Sequence, residues 1–587
     1  MYTELESIQI VIALLKKFGI RHIVTSPGMR SVPIVHSVEN DPFFITHNVV
    51  DERSAAYYAI GVALETGEPC VITCTSAQAT RNYLPGLTEA HYKKIPIVAL
   101  TGDCPREIAG QLHEQSLCQE KQYPRDAIKF SCTLPQIKDK EDYIYVARLV
   151  NEALLELDHH GKGPVHINFQ TNYATTFPVK ELPDIRKISR YDVNTIEKDK
   201  LDVLANGFSG KRIAMLFGAD TPKDEKTIKV IKSFADKYGA AIWVEHFSNL
   251  NIDGAIHPWY AMTAMTEDEL SAYMPDVLIT FGEIVGINRI SFIPRKLEGT
   301  FQHVRVNPDG AVRDTYKSLT GIFENNTEDF CSAFSAVKEN IESDKSYPEM
   351  CRKIAQADYP EYSFSYAWIS QQFSAALPQE ANLHLAINNS IRWMNHFKIP
   401  ANVVAHGNTA AYGIDGCVST FLGQAAVSNK MSFLMIGDLA FLYDMNSISI
   451  KELQKKSNIR ILIVNNNGGG EFRQNLRNSN FVEDLERNIA AGGHNFMAKG
   501  WVESCRYEYL TARSKEEFSQ LLPHFVENDG KSKVFEVFTN SDDDKKSLEL
   551  IFNANASIFS KTQSFAKNFI KKNMPNSLRG KIKNIIK

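Results

Sequence analysis

Two short runs decide how this chain is read: MIGDLAFLYDMN at residues 435–446 and ILIVNNNGGGEF at residues 461–472. Each begins as a continuous apolar run, as a parallel strand covered on both faces requires, and ends in small and polar residues. Asp438 closes the first run, and Asn465, Asn466 and Asn467 close the second. Only one crossover helix fits between them, so the two strand ends are neighbours, and open parallel sheets bind their ligands at those ends. A carboxylate, an amide oxygen and a backbone carbonyl are hard oxygen donors suited to Mg²⁺, which completes its shell with water and phosphate oxygens. Gly468, Gly469 and Gly470 let the backbone approach such a phosphate closely. Taken alone, a Gly-Asp pair is also a plain turn and a glycine run is also a flexible loop.

Outward from these runs the same rhythm repeats. IRHIVTSPG, FFITHNVV, PCVITCTS, IPIVALTGD and GPVHINFQ alternate with helical stretches across residues 1–180. KRIAMLFGAD, AAIWVEHF, DVLITFGE and QHVRVNP do so across 200–335, and ANLHLAINNS, NVVAHG, MSFLMIGD, IRILIVNNN and SKVFEVF across 360–545. Strands alternating with crossover helices predict an α/β protein of three doubly wound parallel-sheet domains, in keeping with 587 residues. The tail, 550–587, differs: from residue 551 it carries eight Lys or Arg and no acid. It reads as an amphipathic helix for an anionic membrane surface or a protein partner, or as a terminal helix docked on its own protein.

A formal net charge of −4 with interspersed signs predicts no nucleic-acid partner and favours small molecules. Nine cysteines without a CxxC pair predict a reducing, cytoplasmic setting. The first 20 residues follow helical spacing and lack a cleavage site, so they read as a first helix, and no apolar window is long enough to span a membrane.

In the first series, FFITHNVVDERSAAYYAIGVALETG is a strand, then Asp51-Glu52-Arg53, then a helix with Ala55, Ala56, Ala59 and Gly61 on its packing side. Glu52 lies at a strand end and a helix start, where an acid is favourable and is often functionally silent. SPGMRSVP and TCTSAQATRNYLPG end neighbouring strands, so several polar loops converge on the same sheet edge.

A strand-end glutamate in one domain, with Gly437-Asp438 and Asn466 in another, resembles the thiamine diphosphate (ThDP) enzymes. SPGMRSVP, DERSAAYYAIGVA, NYLPGLTEA, ALTGDCPRE, YGIDGCVST, GDLAFLYDMN and NNNGGGEF are similar to the sequence motifs of the menaquinone-pathway carboligase family, the 2-succinyl-5-enolpyruvyl-6-hydroxy-3-cyclohexene-1-carboxylate synthases. The resemblance spans residues 1 to 540. It implies that Asp438, Asn466 and the Gly468 carbonyl bind Mg²⁺, that the Gly437, Leu439 and Ala440 backbone lies beside the diphosphate, and that Ile414 wedges the cofactor into its bent form. It also implies that Glu52 hydrogen-bonds the aminopyrimidine N1′. Ser390, Arg30, Gln115, Arg289 and Phe472 match the family's cofactor and substrate positions. Because the two halves of the site lie in separate domains, the resemblance implies a homodimer or homotetramer with sites between subunits.

The chain departs from the family where carboxylate-gripping arginines stand. Those positions are Cys104, Met394 and Thr409 here, and a family lysine falls at Asn288. Glu471 replaces an apolar residue before Phe472, and His113 and Glu114 precede Gln115. Glu471 and His113 are therefore candidate acid–base groups; Glu471 is equally readable as an outward loop acid, and a helix-surface histidine such as His113 is more often structural. Three lost arginines remove strong, bidentate carboxylate contacts. The sequence-based expectation is accordingly a ThDP- and Mg²⁺-dependent carboligase that decarboxylates a 2-oxo acid donor and passes it to an acceptor other than the family's. Alternatives are the authentic synthase acting on 2-oxoglutarate and isochorismate, a simple 2-oxo acid decarboxylase, and a non-catalytic scaffold. Retention of Glu52, Asp438 and Asn466 argues against the scaffold.

Overall fold

A computed structural model of the chain describes residues 1–171, 176–259, 267–283, 299–338, 341–356, 359–470, 488 and 490–555. Three six-stranded sheets with interspersed helices make up the protein. The strands of the first are β1 (His22–Thr25), β2 (Ile45–Asn48), β3 (Cys70–Cys74), β4 (Ile97–Asp103), β5 (Phe130–Leu134) and β6 (Val165–Gln170). They pair in parallel in the order β2-β1-β3-β4-β6-β5. The middle sheet holds β7 (Ser189–Tyr191), β8 (Ile213–Phe217), β9 (Ala241–Val244), β10 (Val277–Phe281), β11 (Gln302–Val306) and β12 (Leu319–Phe323). Its β11, β10, β8 and β9 are parallel neighbours in that order.

The third sheet holds β13 (Ala381–Leu385), β14 (Val404–His406), β15 (Met431–Gly437), β16 (Ile459–Asn465), β17 (Glu508–Ala512) and β18 (Lys533–Phe538). Its parallel order, β14-β13-β15-β16-β18-β17, repeats that of the first sheet. Every residue of β3, β4, β13 and β16 is buried, as strands covered on both faces by crossover helices must be.

The chain gathers into two compact units. The first comprises Met1–Tyr191 with Gly310–Ile322. Its returning segment is tied in by Arg186 to Asp314 at 2.5 Å, by Lys317 to Glu141, and by Leu319 and Ile322 packing on Leu155 and Ile188. The second unit comprises Asp192–Asp309 and Phe323–Lys587. Within it, the loop after β9 is fastened to the loops of the third sheet. Asn249 both donates to the Ala405 carbonyl at 3.0 Å and accepts from the Ala405 amide at 2.8 Å. The His246 ring Nε2 lies 2.9 Å from the Met394 carbonyl and 3.0 Å from that of Phe397. Gly407 is required there, because a Cβ would lie 2.8 Å from the Phe247 ring.

Candidate metal and cofactor site

In the second unit, strand order reverses between β13 and β15, and the loops leaving β13, β15 and β16 open at that switch point. Asp438 begins the helix Asp438–Asp444 directly after β15 and is 2% exposed. Its Oδ2 accepts from the Gly468 amide at 2.9 Å and lies 3.0 Å from His494 Nε2, while Oδ1 accepts from the Leu439 amide at 2.8 Å. Burial raises the carboxyl above the ordinary aspartate range, and these donors oppose the shift.

The three asparagines after β16 do three different things. Asn465 donates to the buried Glu536 at 2.8 Å and accepts from the Asn467 amide at 3.1 Å, which fixes the turn. Glu536 is itself held by the Ala498 amide and the Tyr509 hydroxyl. Asn467 sits at φ 65° and is clamped by the loop 490–496: its carbonyl accepts from Gly493 N at 3.0 Å, and its Oδ1 from Asn495 N at 3.0 Å. Asn466, 7% exposed, donates Nδ2 to Asp544 Oδ2 at 3.1 Å, and no described residue is bonded to its Oδ1. Burial, then Asp543 and Asp438 nearby, raise the Asp544 carboxyl to about 6.

The glycines are sterically necessary. A Cβ on Gly468 would lie 2.8 Å from the Gly492 Cα, and one on Gly470 would lie 2.5 Å from Asn466 Nδ2 and 3.1 Å from Asn389 Nδ2. Gly468 also adopts φ +147°, at the edge of the region glycine favours. These strand ends offer a carboxylate, an amide oxygen and the Gly468 carbonyl, which accepts one bond from the Gly470 amide at 3.0 Å and keeps a second lone pair; the chemistry of this candidate donor set fits a hard divalent ion bound to a diphosphate.

Near these candidate ligands, Ser390 lies on the short helix after β13 and its Oγ is 2.7 Å from the Tyr366 hydroxyl. Ile414 is half-buried and packs against the apolar core on either side of the sheet. Gly437 has no atom within 4 Å of where a Cβ would stand, and Leu439 and Ala440 form the first turn of the helix that follows it.

The first unit presents the other residues expected from sequence. Glu52 opens the helix Glu52–Thr66, which Asp51 caps by accepting from Ser54 N at 2.9 Å. Asn82 donates to Glu52 Oε2 at 3.1 Å. The helix is held close to Leu84–Tyr92, since a Cβ on Gly86 would lie 2.5 Å from that of Ala56. The NYLPG segment therefore both bonds Glu52 and fits against its helix. Ala55, Ala56 and Ala59 are buried as expected, but Gly61 is exposed and a Cβ there would meet nothing within 4 Å; Ala63, one turn beyond Ala59, completes the buried face.

Arg30 is 2% exposed, with Nε donating to Ser76 Oγ at 3.0 Å and Nη1 to the Thr171 carbonyl at 3.1 Å. Ser76 in turn donates to the Gln115 carbonyl at 3.2 Å, so Arg30 and the Gln115 loop are brought together. The His113 and Gln115 side chains are exposed, and the His113 carbonyl accepts from Ser116 Oγ. Gln119 pins this loop through the Ala77 amide, the Gly102 carbonyl and Asn168. Cys104, Met394 and Thr409 are all buried, Met394 within the apolar core of the third sheet. Asn288, Arg289, Glu471, Phe472 and the basic tail from residue 556 lie outside the described residues.

Comparison with known proteins gives the family. The model for the thiamine pyrophosphate enzyme N-terminal TPP binding domain matches residues 6–123. The 2-succinyl-5-enolpyruvyl-6-hydroxy-3-cyclohexene-1-carboxylate synthase of Bacteroides thetaiotaomicron is 33% identical over 94% of this chain and 98% of its own length. Those of Bacteroides fragilis and Phocaeicola vulgatus are 32% and 31% identical, over 94% and 93% of this chain and 99% and 97% of their own lengths. The chain belongs to this synthase family. It is a ThDP-dependent enzyme of the decarboxylating and carbon–carbon bond-forming kind, and it uses a divalent metal. Sequence reasoning singled out Glu52, Asp438 and Asn466 but not Asn82, His494 and Asp544, which hydrogen-bond to them. The GGHN run 492–495 gave no sign that its histidine reaches back to Asp438, and Asp544 sits in an acidic run that looks like a solvated helix start.

Proposed function

We propose that this enzyme catalyses the reaction for which its relatives are named: ThDP- and Mg²⁺-dependent decarboxylation of 2-oxoglutarate with transfer of the remaining unit to isochorismate. The observation that carries this reading is similarity over nearly the whole length of chains bearing that single name. Asp438, Asn466 and the Gly468 carbonyl hold the metal. The Gly437, Leu439 and Ala440 backbone lies against the diphosphate, Ile414 supports the bent cofactor, and Ser390 faces it. Glu52 holds the aminopyrimidine N1′ and its proton, a task suited to a strand-end carboxylate steadied by Asn82. When bound, ThDP supplies the acidic carbon and the electron sink for decarboxylation. Arg30, Gln115, Arg289 and Phe472 contact the substrates, and His113 and Glu471 are the proton-handling candidates.

Tyr57, Tyr58 and Leu64 on the Glu52 helix expose large apolar surface, which supports a homodimer or homotetramer whose sites form between subunits. All nine cysteines are free and eight are buried, in keeping with a cytoplasmic setting, and no described helix is long and apolar enough to cross a membrane. The basic tail is either a terminal helix docked on its own protein or a contact for a membrane surface or protein partner.

A second reading, the same chemistry with another donor or acceptor, is favoured by buried Cys104, Met394 and Thr409 at positions expected to hold arginine. Isochorismate consumption by purified enzyme with ThDP, Mg²⁺ and 2-oxoglutarate decides between them. Consumption supports the synthase; CO₂ release without consumption supports the second reading.

A further inference from the structure

The metal reading leaves one question about Asn466. A terminal amide can turn either its oxygen or its nitrogen toward a metal, and only the oxygen is a ligand. The first turn of the helix Ser541–Asn555 surrounds this residue. Ser541 Oγ donates to the Asn466 carbonyl at 3.1 Å, and Asp544 accepts from Asn466 Nδ2 at 3.1 Å. Asp544 is fully buried and its other oxygen accepts from the Tyr366 backbone amide at 2.6 Å. Tyr366 also carries the hydroxyl that meets Ser390, so one carboxylate joins both sides of the strand-end site.

We propose that Asp544 is the positioning residue that orients the Asn466 amide, taking up its NH₂ group so that the oxygen is presented to the divalent metal. An ionised carboxylate only accepts hydrogen bonds, so it selects one of the two amide orientations. The sequence gives it to a helix whose start would otherwise be expected in solvent. Outer groups that fix a metal ligand are worth about 10–100-fold in metal affinity. The inference rests on the assignment of Asn466 as a ligand.

The test is an isosteric exchange. In Asp544→Asn the new side chain has one acceptor and one donor. The Tyr366 amide is backbone and cannot turn, so it keeps the acceptor, and the donor faces Asn466. Asn466 then flips and shows its nitrogen to the metal. The expected result is about 10–100-fold weaker Mg²⁺ dependence of ThDP binding, read by tryptophan fluorescence on the full-length protein. The double variant Asn466→Asp/Asp544→Asn exchanges the two groups at constant charge. It again pairs a donor with an acceptor and leaves a carboxylate oxygen for the metal, so Mg²⁺ affinity should recover to within a few-fold of wild type. A merely structural role for Asp544 gives no such recovery.

Wild-type Mg²⁺ affinity in Asp544→Asn, with Asn466→Ala weakened, would overturn the positioning role alone. Wild-type affinity in Asn466→Ala would overturn the ligand assignment and the inference with it. If Asp544→Asn does not fold, the double variant still decides: Mg²⁺ affinity close to wild type supports the inference, and affinity as weak as that of Asn466→Ala overturns it.

Discussion

Gly470→Ala tests whether the strand-end loop works as a metal cradle. The added methyl would stand 2.5 Å from Asn466 Nδ2, where an ordinary contact begins near 3.4 Å, so the amide must retreat by about 0.9 Å. It cannot do so freely, because Asp544 holds the same nitrogen at 3.1 Å and the side chain is almost wholly buried. Loss of one charge-assisted hydrogen bond costs roughly 1.5–3 kcal/mol. If about 2 kcal/mol of this falls on metal binding, affinity drops roughly 30-fold, because each 1.4 kcal/mol is a factor of ten. The assay is ThDP binding, followed by tryptophan fluorescence while Mg²⁺ is titrated at fixed ThDP. Gly500→Ala is the control, since its Cβ would meet nothing within 4 Å. An unchanged Mg²⁺ midpoint in Gly470→Ala would refute the placement of Asn466 at the metal.

Asp438→Ala should abolish Mg²⁺-dependent cofactor binding altogether and lower the melting temperature, because the Gly468 amide and His494 lose their acceptor. Retention of metal-dependent binding would contradict its role. Acid should destabilise the fold in a defined window. Burial holds His166 at about 3, His396 at about 3 and His384 at about 4, against 6.5 in the unfolded chain. Below pH 6.5 the unfolded state therefore binds more protons, and the stability present above 6.5 is lost toward pH 4 by about 1.4 kcal/mol per pH unit for each histidine. Melting temperatures at pH 7.5 and 5.5 check the sign; a rise on acidification would show that these rings are protonated in the fold.

The three-sheet architecture was legible because most inner strands are largely apolar; β3, β4, β15 and β16 lie in the apolar runs read from sequence, and β13, ANLHL, was read from the same rhythm although it buries Asn382 and His384. The strands that went unread carry a weaker pattern. β5 and β17 are sheet edges, only partly buried along their length, so FSCTL and EYLTA do not stand out from their surroundings. β12 was hidden for another reason: LTGIF is mostly buried but lies between polar stretches, after the strand β11 that was read. The candidate ligand residues were readable because chemistry limits which side chains can stand at a strand end. Their supports were not. Asn82 reaches Glu52 from 30 residues away, His494 reaches Asp438 from 56 and Asp544 reaches Asn466 from 78, through contacts that only the folded chain creates. Cys104, Met394 and Thr409, where the resemblance leads one to expect arginines, are read from sequence as lost carboxylate contacts; the fold shows in addition that all three are buried, Met394 in the apolar core of the third sheet.

CO₂ release from 2-oxo acids by the enzyme supplied with ThDP and Mg²⁺, wild type against Glu52→Gln, tests the central assignment most directly. The predicted result is release from 2-oxoglutarate by the wild type, a fall of roughly 10²–10⁴-fold in Glu52→Gln, and undiminished ThDP binding in the variant. Equal release by both proteins would contradict the account, because the carboxylate at the end of β2 would then have no part in activating the cofactor.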